Sequence, residues 1–349
     1  MEIWLNYSDN LIMKNKKRVL VLVHPTLIPP EPYESGKYDL EKVPWRTEYY
    51  VISTLQNNGH KVRVLGVDDD LKAIKKAQEE FKPHIAFNLL EQFDGETLWD
   101  HNVVSYLELI KLPFTGCNPK GLMLARDKSL SKKLLYFHRI RTPNFVVVEK
   151  GRVFKRQKNL KFPLIVKSLT EEGSAGISQC SVVMDDEKLQ ERISFIHESI
   201  TTDALVESFI DGRDVYVSVM GNKRIVVFPT VELAFKDAPS NIYKIATGRV
   251  KWSPEYREKY KIELVVGENR DSDLAVKIEK LCKRIYKILH LSGYARIDLR
   301  VTEEGTVYFI EANPNPDIAQ NDEFAISASK AGIKYKDLLD KCLKLGMGK

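Results

Sequence analysis

The spacing of apolar residues changes along the chain. Val19 to Val23 is a short unbroken apolar run, the pattern of a strand buried on both faces of a parallel sheet. A loop rich in proline follows, with Pro25, Pro29, Pro30, Pro32 and Gly36. A helical stretch from about Thr47 to Asn58 then stops at Gly59. Val62 to Leu65 reads as a second strand, Asp70 to Phe81 as a helix, Ile85 to Asn88 as a third strand and Leu98 to Ile110 as another helix. Strand alternating with helix predicts a parallel α/β unit with right-handed crossovers. Ligands of such sheets gather at the carboxyl ends of the strands, which points to the loops from His24 to Pro32 and from Glu91 to Glu96.

The pattern then shifts. Leu130, Leu134, Leu135 and Phe137 predict one apolar face on a helix from Leu124 to His138, and Pro143 prevents its continuation. Phe145 to Val148 and Phe162 to Lys167 read as strands, the second ending in a lysine and leading into Thr170 to Ile177. Leu189, Ile193, Ile196 and Ile200 keep helical spacing, and Ala204 to Ile210 is strand-like. Val215 to Met220 and Arg224 to Pro229 predict an antiparallel hairpin turning at Gly221-Asn222. Lys236 to Arg270 has little periodicity and reads as a mobile flap. The stripe Leu274, Ile278, Leu281, Cys282, Ile285, Ile288 and Leu289 marks a helix that Gly293 stops. Two β-rich runs then flank Glu303-Glu304-Gly305, and helices from about Glu323 to Lys330 and Tyr335 to Leu345 close the chain. These regimes predict a parallel α/β domain over residues 1–123 and two β-rich lobes over 124–206 and 207–349, α+β overall.

Composition narrows the classes of function. At 349 residues the chain exceeds what one core usually serves, and 43% hydrophobic with 29% charged residues fits packed globular structure. A net charge of +6 spread over 54 basic and 48 acidic residues, with no basic stripe, argues against a nucleic-acid partner. No run of eighteen apolar residues is present, and Glu2, Asp9 and Lys14 interrupt the first seventeen, so neither membrane insertion nor a signal peptide is expected and a cytoplasmic location is. Cys117, Cys180, Cys282 and Cys342 are too scattered for a zinc site or a redox dithiol.

The chemistry concentrates between Gly293 and Asp317. Side chains two apart on a strand share a face, so Arg296, Asp298 and Arg300 point one way, and Glu311 and Asn313 do likewise on the partner strand. Two carboxylates and an amide brought together suit Mg²⁺, with Mn²⁺ as the substitute, while Arg296 would face developing negative charge. Upstream, the loop Gly173-Ser174-Ala175-Gly176 can turn backbone N–H groups toward phosphate, with Lys167 as a point charge. Asp214 can accept from ribose hydroxyls, and Lys251 can reach phosphate from the flap. Neither a P-loop nor a Rossmann fingerprint is present.

The order of these features, together with Asn88-Leu-Leu-Glu, Phe114-Thr-Gly, Ala125-Arg-Asp-Lys and Ala331-Gly-Ile-Lys-Tyr, resembles the ATP-grasp superfamily and its D-alanine:D-alanine ligase branch from Val19 onward. The resemblance implies ATP held between two β-rich lobes, with Lys128 and Lys167 on its phosphates and Gly173, Ser174 and Ala175 covering them. Glu207 and the Phe209-Ile210 backbone would meet adenine, Asp214 the ribose and Lys251 a phosphate. Asp298, Glu311 and Asn313 match the magnesium ligands, and Arg296 the oxyanion-stabilising arginine, so Arg296 and Lys251 are the catalytic candidates. The implied reaction is ADP-forming ligation of a small-molecule carboxylate and an amine through an acylphosphate, with a homodimer as the default assembly.

The departures lie at the substrate end. His24-Pro25-Thr26 stands where D-alanine ligases carry a glycine-rich loop with a glutamate, Glu91-Gln92 where they carry His-Gly, and Asn313-Pro314-Asn315-Pro316-Asp317 where they carry Asn-x-x-Pro-Gly. The last motif is shared with uncharacterised ligase-like proteins, and amino acids or a short peptide become the expected substrates. Glu91, Asn315 and Asp317 are the substrate-binding candidates, with Glu91 and Asp317 suited to an ammonium group. The alternatives are a true D-alanine:D-alanine ligase and a non-catalytic ATP-binding module.

Overall fold

The computed structural model describes residues 16–33, 37–171, 173–267 and 272–348. The charged N-terminal segment up to residue 15, Gly36 of the proline-rich loop, Glu172, residues 268–270 of the expected flap and residue 271 lie outside the described residues.

The first third forms β1 (Arg18–Val23), α1 (Arg46–Asn57), β2 (Lys61–Gly66), α2 (Lys72–Phe81), β3 (Ile85–Asn88) and α3 (Asp100–Leu109). Its three strands are parallel in the order β2-β1-β3. Each apolar residue of β1 is buried because helices or other strands cover both faces, which is why the run does not alternate.

The helix expected from Leu124 to His138 is two helices, α4 (Pro119–Arg126) and α5 (Lys128–Phe137). Asp127 between them is extended, and its carboxylate accepts from the N–H groups of Ser129 and Leu130 at 2.8 and 3.0 Å. A capping aspartate serves the start of a helix better than its middle, so it divides the segment. The expected apolar face is corrected too: Leu135 is buried, but Leu130 and Phe137 are exposed, and the buried side carries Lys128, Ser131 and Lys132.

The middle of the chain supplies β4 (Phe145–Val148), β5 (Leu164–Ser168), β6 (Val182–Val183), α6 (Asp186–Phe195) and β7 (Ala204–Ser208). The strands pair antiparallel in the order β4-β7-β5-β6. This sheet has its own core of Val148, Leu164, Val166, Leu189, Ile193 and Val206 among others, all within this part of the chain. The expected boundary at 206/207 falls inside β7.

The last part of the chain supplies β8 (Arg213–Met220), β9 (Val226–Val227), β10 (Val231–Phe235), α7 (Gly248–Trp252), α8 (Pro254–Lys259), β11 (Ile262–Val266), α9 (Asp273–Ile288), β12 (Tyr294–Val301), β13 (Val307–Asn313), α10 (Glu323–Lys330) and α11 (Tyr335–Met347). Its strands form an antiparallel sheet in the order β11-β10-β8-β12-β13, with β9 paired to β8. The hairpin after Met220 is shorter than the sequence suggested, with only Val219↔Val227 and Met220↔Val226 paired. The stretch read as a flap contains a full strand, β11, registered against β10 from Ile262↔Phe235 to Val266↔Val231. Its alternation of buried Ile262 with exposed Glu263 and Val265 is that of a half-exposed edge strand, too short to stand out among charges.

The first and last sheets share one core. Leu20, Leu22 and Ala86 lie in the same apolar cluster as Val217, Ile285, Ile297 and Phe309. Gly293, at φ +68°, lets the chain pass the Gly116 carbonyl; a Cβ there would lie 2.1 Å from that oxygen.

Candidate active site

Strands β12 and β13 set two polar pairs in register: Asp298 lies opposite Glu311, and Arg296 opposite Asn313. A β-bulge follows Asp298, so that Leu299 pairs with Phe309 and the ladder skips Ile310. The Ile310 carbonyl instead accepts from Lys132 Nζ at 2.5 Å. The bulge thereby draws a buried lysine from α5 into the polar end of the hairpin.

An open cleft of about 740 Å³ lies between the middle and last sheets, and Lys167, Ser174, Glu207, Phe209, Ile210, Asp214, Lys251, Asp298 and Glu311 all line it. These nine expected residues come from six separate stretches of sequence. Gly173 and Ala175 flank Ser174 in the loop, whose Ile177 carbonyl accepts from Gly248 N at 3.1 Å. That bond joins the loop to the start of α7, the helix carrying Lys251. Lys128 donates to the Glu171 carbonyl at 2.7 Å and lies 3.6 Å from Glu311.

Four cations bear on Glu311. Burial opposes its ionisation, but Lys128, Lys167, Lys251 and Arg296 outweigh burial and bring its pKa down to about 2. Asp298 moves the other way, its pKa raised by burial despite a bidentate pair with Arg296 at 2.8 and 3.0 Å. Arg296 also reaches Glu323 at 3.3 Å and lies over the Tyr216 ring.

Glu207 and Asp214 are more heavily engaged than the sequence suggests. The Glu207 carboxylate has no exposed surface and receives Lys132 at 2.8 Å and Lys167 at 3.1 Å. Burial alone would raise its pKa; the two lysines lower it. Asp214 accepts from Arg300 Nη1 at 2.6 Å and from Ala246 N at 3.2 Å. Arg300 further donates to the carbonyls of Ile210 and Lys244 at 3.0 and 2.8 Å, and so holds the segment expected to meet adenine.

The donor set fits a divalent cation accompanied by phosphate. Asp298 and Glu311 offer hard carboxylate oxygens on one face, and the surrounding lysines suit phosphate oxygens. Asn313 Oδ1 already accepts from Asn315 N at 3.0 Å. Among the described residues no three His, Cys, Asp or Glu side chains cluster to hold a metal, so protein atoms supply only part of a coordination shell.

The expected substrate residues gather elsewhere, where the first and last sheets meet. Asn315 is buried, donates to the Leu90 carbonyl at 3.1 Å and accepts from Tyr294 OH at 3.5 Å, which makes it a tether. The Glu91 carbonyl accepts from Arg126 at 3.3 Å. Asp317 accepts from Thr47 Oγ1 at 2.7 Å and Ala319 N at 2.8 Å, with Arg46 at 3.5 Å. Five neighbours were not singled out from sequence: Lys132, Arg300, Arg46, Glu48 and Asp322. Lys132 follows Lys128 by one helical turn and Arg300 shares the face of Arg296 and Asp298, so both had a positional signal. Arg46 and Glu48 had none.

A cleft between two antiparallel sheets, with lysines facing a carboxylate hairpin, defines an ATP-grasp fold. The family model described as D-ala D-ala ligase C-terminus matches residues 134–344, more than half of the chain. The chain belongs to that family. It is 28% identical to a D-alanine–D-alanine ligase of Aquifex aeolicus, covering 87% of this chain and 96% of the relative. It is also 28% identical to an uncharacterized protein of Sinorhizobium fredii, over 90% and 89%. The crystal structure of D-alanine–D-alanine ligase from Bacillus anthracis complexed with ATP has the same fold, with a TM-score of 0.72 at 23% identity over 95% of this chain and 98% of that one.

Proposed function

We propose that the protein is an ATP-dependent, ADP-forming ligase that joins a carboxylate to an amine through an acylphosphate. The observation that carries this reading is the Asp298–Glu311 pair in register, with Lys128, Lys167, Lys251 and Arg296 acting on Glu311. Family membership and the ATP bound by a solved relative support it. Lys128, Lys167 and Lys251 bind phosphate oxygens, and the loop of Gly173, Ser174 and Ala175 covers them. Glu207 holds Lys167 in place, Phe209 and Ile210 meet the adenine, and Asp214, steadied by Arg300, takes the ribose. Asp298, Glu311 and Asn313 hold magnesium or manganese, which when bound neutralises charge on the transferred phosphoryl group. Arg296 stabilises the oxyanion formed as the amine attacks. Glu91 and Asp317 bind substrate, and Asn315 fixes their loop.

Amino acids or a short peptide are the substrate class, and the functional units are the three sheets with their helices; the expected divisions after 123 and 206 fall inside α4 and β7. A cytoplasmic homodimer is the setting; no helix among the described residues is long and apolar enough to cross a membrane. ADP release with magnesium, screened over pairs of amino acids, tests the activity. A catalogue of pairs with no stimulated ADP release would favour a non-catalytic ATP-binding module.

A second reading, D-alanine:D-alanine ligation, is favoured by the names of the relatives. Saturable ADP release with D-alanine alone at ordinary turnover would establish it. The excess of carboxylates beside Asp317 favours a different substrate.

A further inference from the structure

Lys132 on α5 has no exposed surface and does not line the cleft. Its Nζ lies 2.8 Å from Glu207 on β7 and 2.5 Å from the Ile310 carbonyl on β13, so one buried ammonium is bonded to both the middle and the last sheet. Desolvating that charge is costly, and neither packing nor charge balance calls for it. An apolar side chain of similar length would fill the space beside the Phe309 ring, whose centre lies 5.6 Å from the ammonium. Glu207 already has Lys167 at 3.1 Å from its other oxygen.

Lys132, Glu207 and Lys167 together hold two ammonium groups and one carboxylate, and of the two lysines only Lys167 lines the cleft. A carboxylate has room for donors on both oxygens. With Lys132 bonded to one of them, Glu207 offers Lys167 the other alone, and the trio presents one net positive charge at the cleft wall. Without Lys132, both oxygens turn to Lys167 and cancel its charge toward anything in the cleft, where burial leaves little screening. Burial lowers the Lys132 pKa while Glu207 opposes the fall, and against its own burial Lys167 is raised by Glu207 and Glu311. The bond to Ile310 keeps the Lys132 ammonium from following Glu207: the bulge leaves that carbonyl outside the strand ladder, and Lys132 is its donor.

We propose that Lys132 is a positioning residue for nucleotide phosphate: anchored on the Ile310 carbonyl, it occupies one oxygen of Glu207 and so frees the charge of Lys167 for the phosphate groups. This rests on the reading of the cleft as an ATP site and adds to it a residue that never touches the nucleotide. Lys128, one turn earlier on α5, lies 3.6 Å from Glu311, so the same helix sets one lysine beside Glu311 and a second beside Glu207. The effect is confined to the phosphates, since the Ile210 backbone expected at the adenine is held by Arg300 and not by Lys132.

Calorimetric titration of the full chain with ATP and with adenosine, in magnesium buffer and without a carboxylate substrate, tests this, since the two ligands differ only in the triphosphate. Lys132→Met should lower ATP affinity about tenfold and leave adenosine affinity within about twofold of the parent. Adding Glu207→Gln to that variant should restore ATP affinity to within about threefold of the parent, because the amide oxygen still accepts from Lys167 but carries no charge to cancel it. A merely structural lysine predicts the opposite: both affinities fall together and the second substitution deepens the loss. Unchanged ATP affinity in the single variant, equal loss for both ligands, no recovery in the double variant, or failure of both variants to fold would each overturn the proposal. If only the single variant fails to fold, the double variant decides, by an ATP affinity inside that range or below it. A parent that binds ATP no more tightly than adenosine removes the nucleotide reading itself. A parent that prefers ATP, with a single variant that keeps the full preference, retains that reading and loses the role of Lys132.

Discussion

The proposed nucleotide cleft and the proposed substrate end treat their charged side chains oppositely. In the cleft, Glu207 lies between two lysines, Asp214 is fastened by Arg300, and Glu311 faces four cations, so every carboxylate is held ionised or oriented. At the substrate end, Arg46 is shared by three carboxylates and the buried Glu48 Oε2 has no partner. Under the proposed function, the region that would bind an invariant co-substrate has its charges satisfied in advance, and the region that would choose a substrate does not.

The sharpest way to break this contrast is Glu311→Gln. It removes the charge that four cations converge on, and turnover with magnesium should fall by about 1,000-fold while the thermal midpoint changes little. Retained turnover in a steady-state ADP assay would remove Glu311 from the reaction. Next is Lys132→Met, which leaves buried Glu207 with only Lys167. Breaking part of a buried pair predicts a loss of about 3 kcal/mol in denaturant unfolding. A loss within ordinary surface values would show that the cleft does not depend on its internal pairing.

Glu48 should behave in the reverse sense. Burial pushes its pKa from 4.5 up to about 8, so between those values the folded chain keeps a proton that the unfolded chain has released. Stability is therefore lost as pH rises across that window. Glu48→Gln should flatten the profile and make the ligand-free protein about 2 kcal/mol more stable than the parent at pH 8. Unfolding curves at pH 5 and pH 8 check both sign and size. The smallest effect is expected from Arg300→Met, which releases Asp214: nucleotide affinity should weaken about tenfold, read by titration with ATP, with ADP release restored at saturating ATP. Unaltered affinity would mean that Asp214 needs no positioning.

Much of the cleft was legible because strands have a period of two. Arg296, Asp298, Glu311 and Asn313 could be assigned to shared faces from spacing alone, and the register then placed the carboxylates opposite each other. Lys167 at a strand end before a glycine loop was equally local. The β-bulge was not legible, because skipping Ile310 leaves no mark in composition, and without it the partnership of Lys132 with the Ile310 carbonyl has no reason to exist. Leu130 and Phe137 misled because helical periodicity reports which residues share a face but not whether that face meets protein or solvent.

The sequence by itself determined the alternation of the first third, the antiparallel hairpin with its polar face, and the residue types that mark phosphate and cation chemistry, since each depends on residues within a few positions of one another. Tertiary structure alone decided which charges became partners. Arg46 and Asp322 are 276 positions apart and Lys132 and Ile310 are 178 apart. Whether a carboxylate such as Glu48 is solvated or stranded depends on what the rest of the chain packs around it. Burial and the sum of neighbouring charges are properties of the assembled sheets, and they turned an ordinary helix-start glutamate into the least satisfied acid of the substrate end.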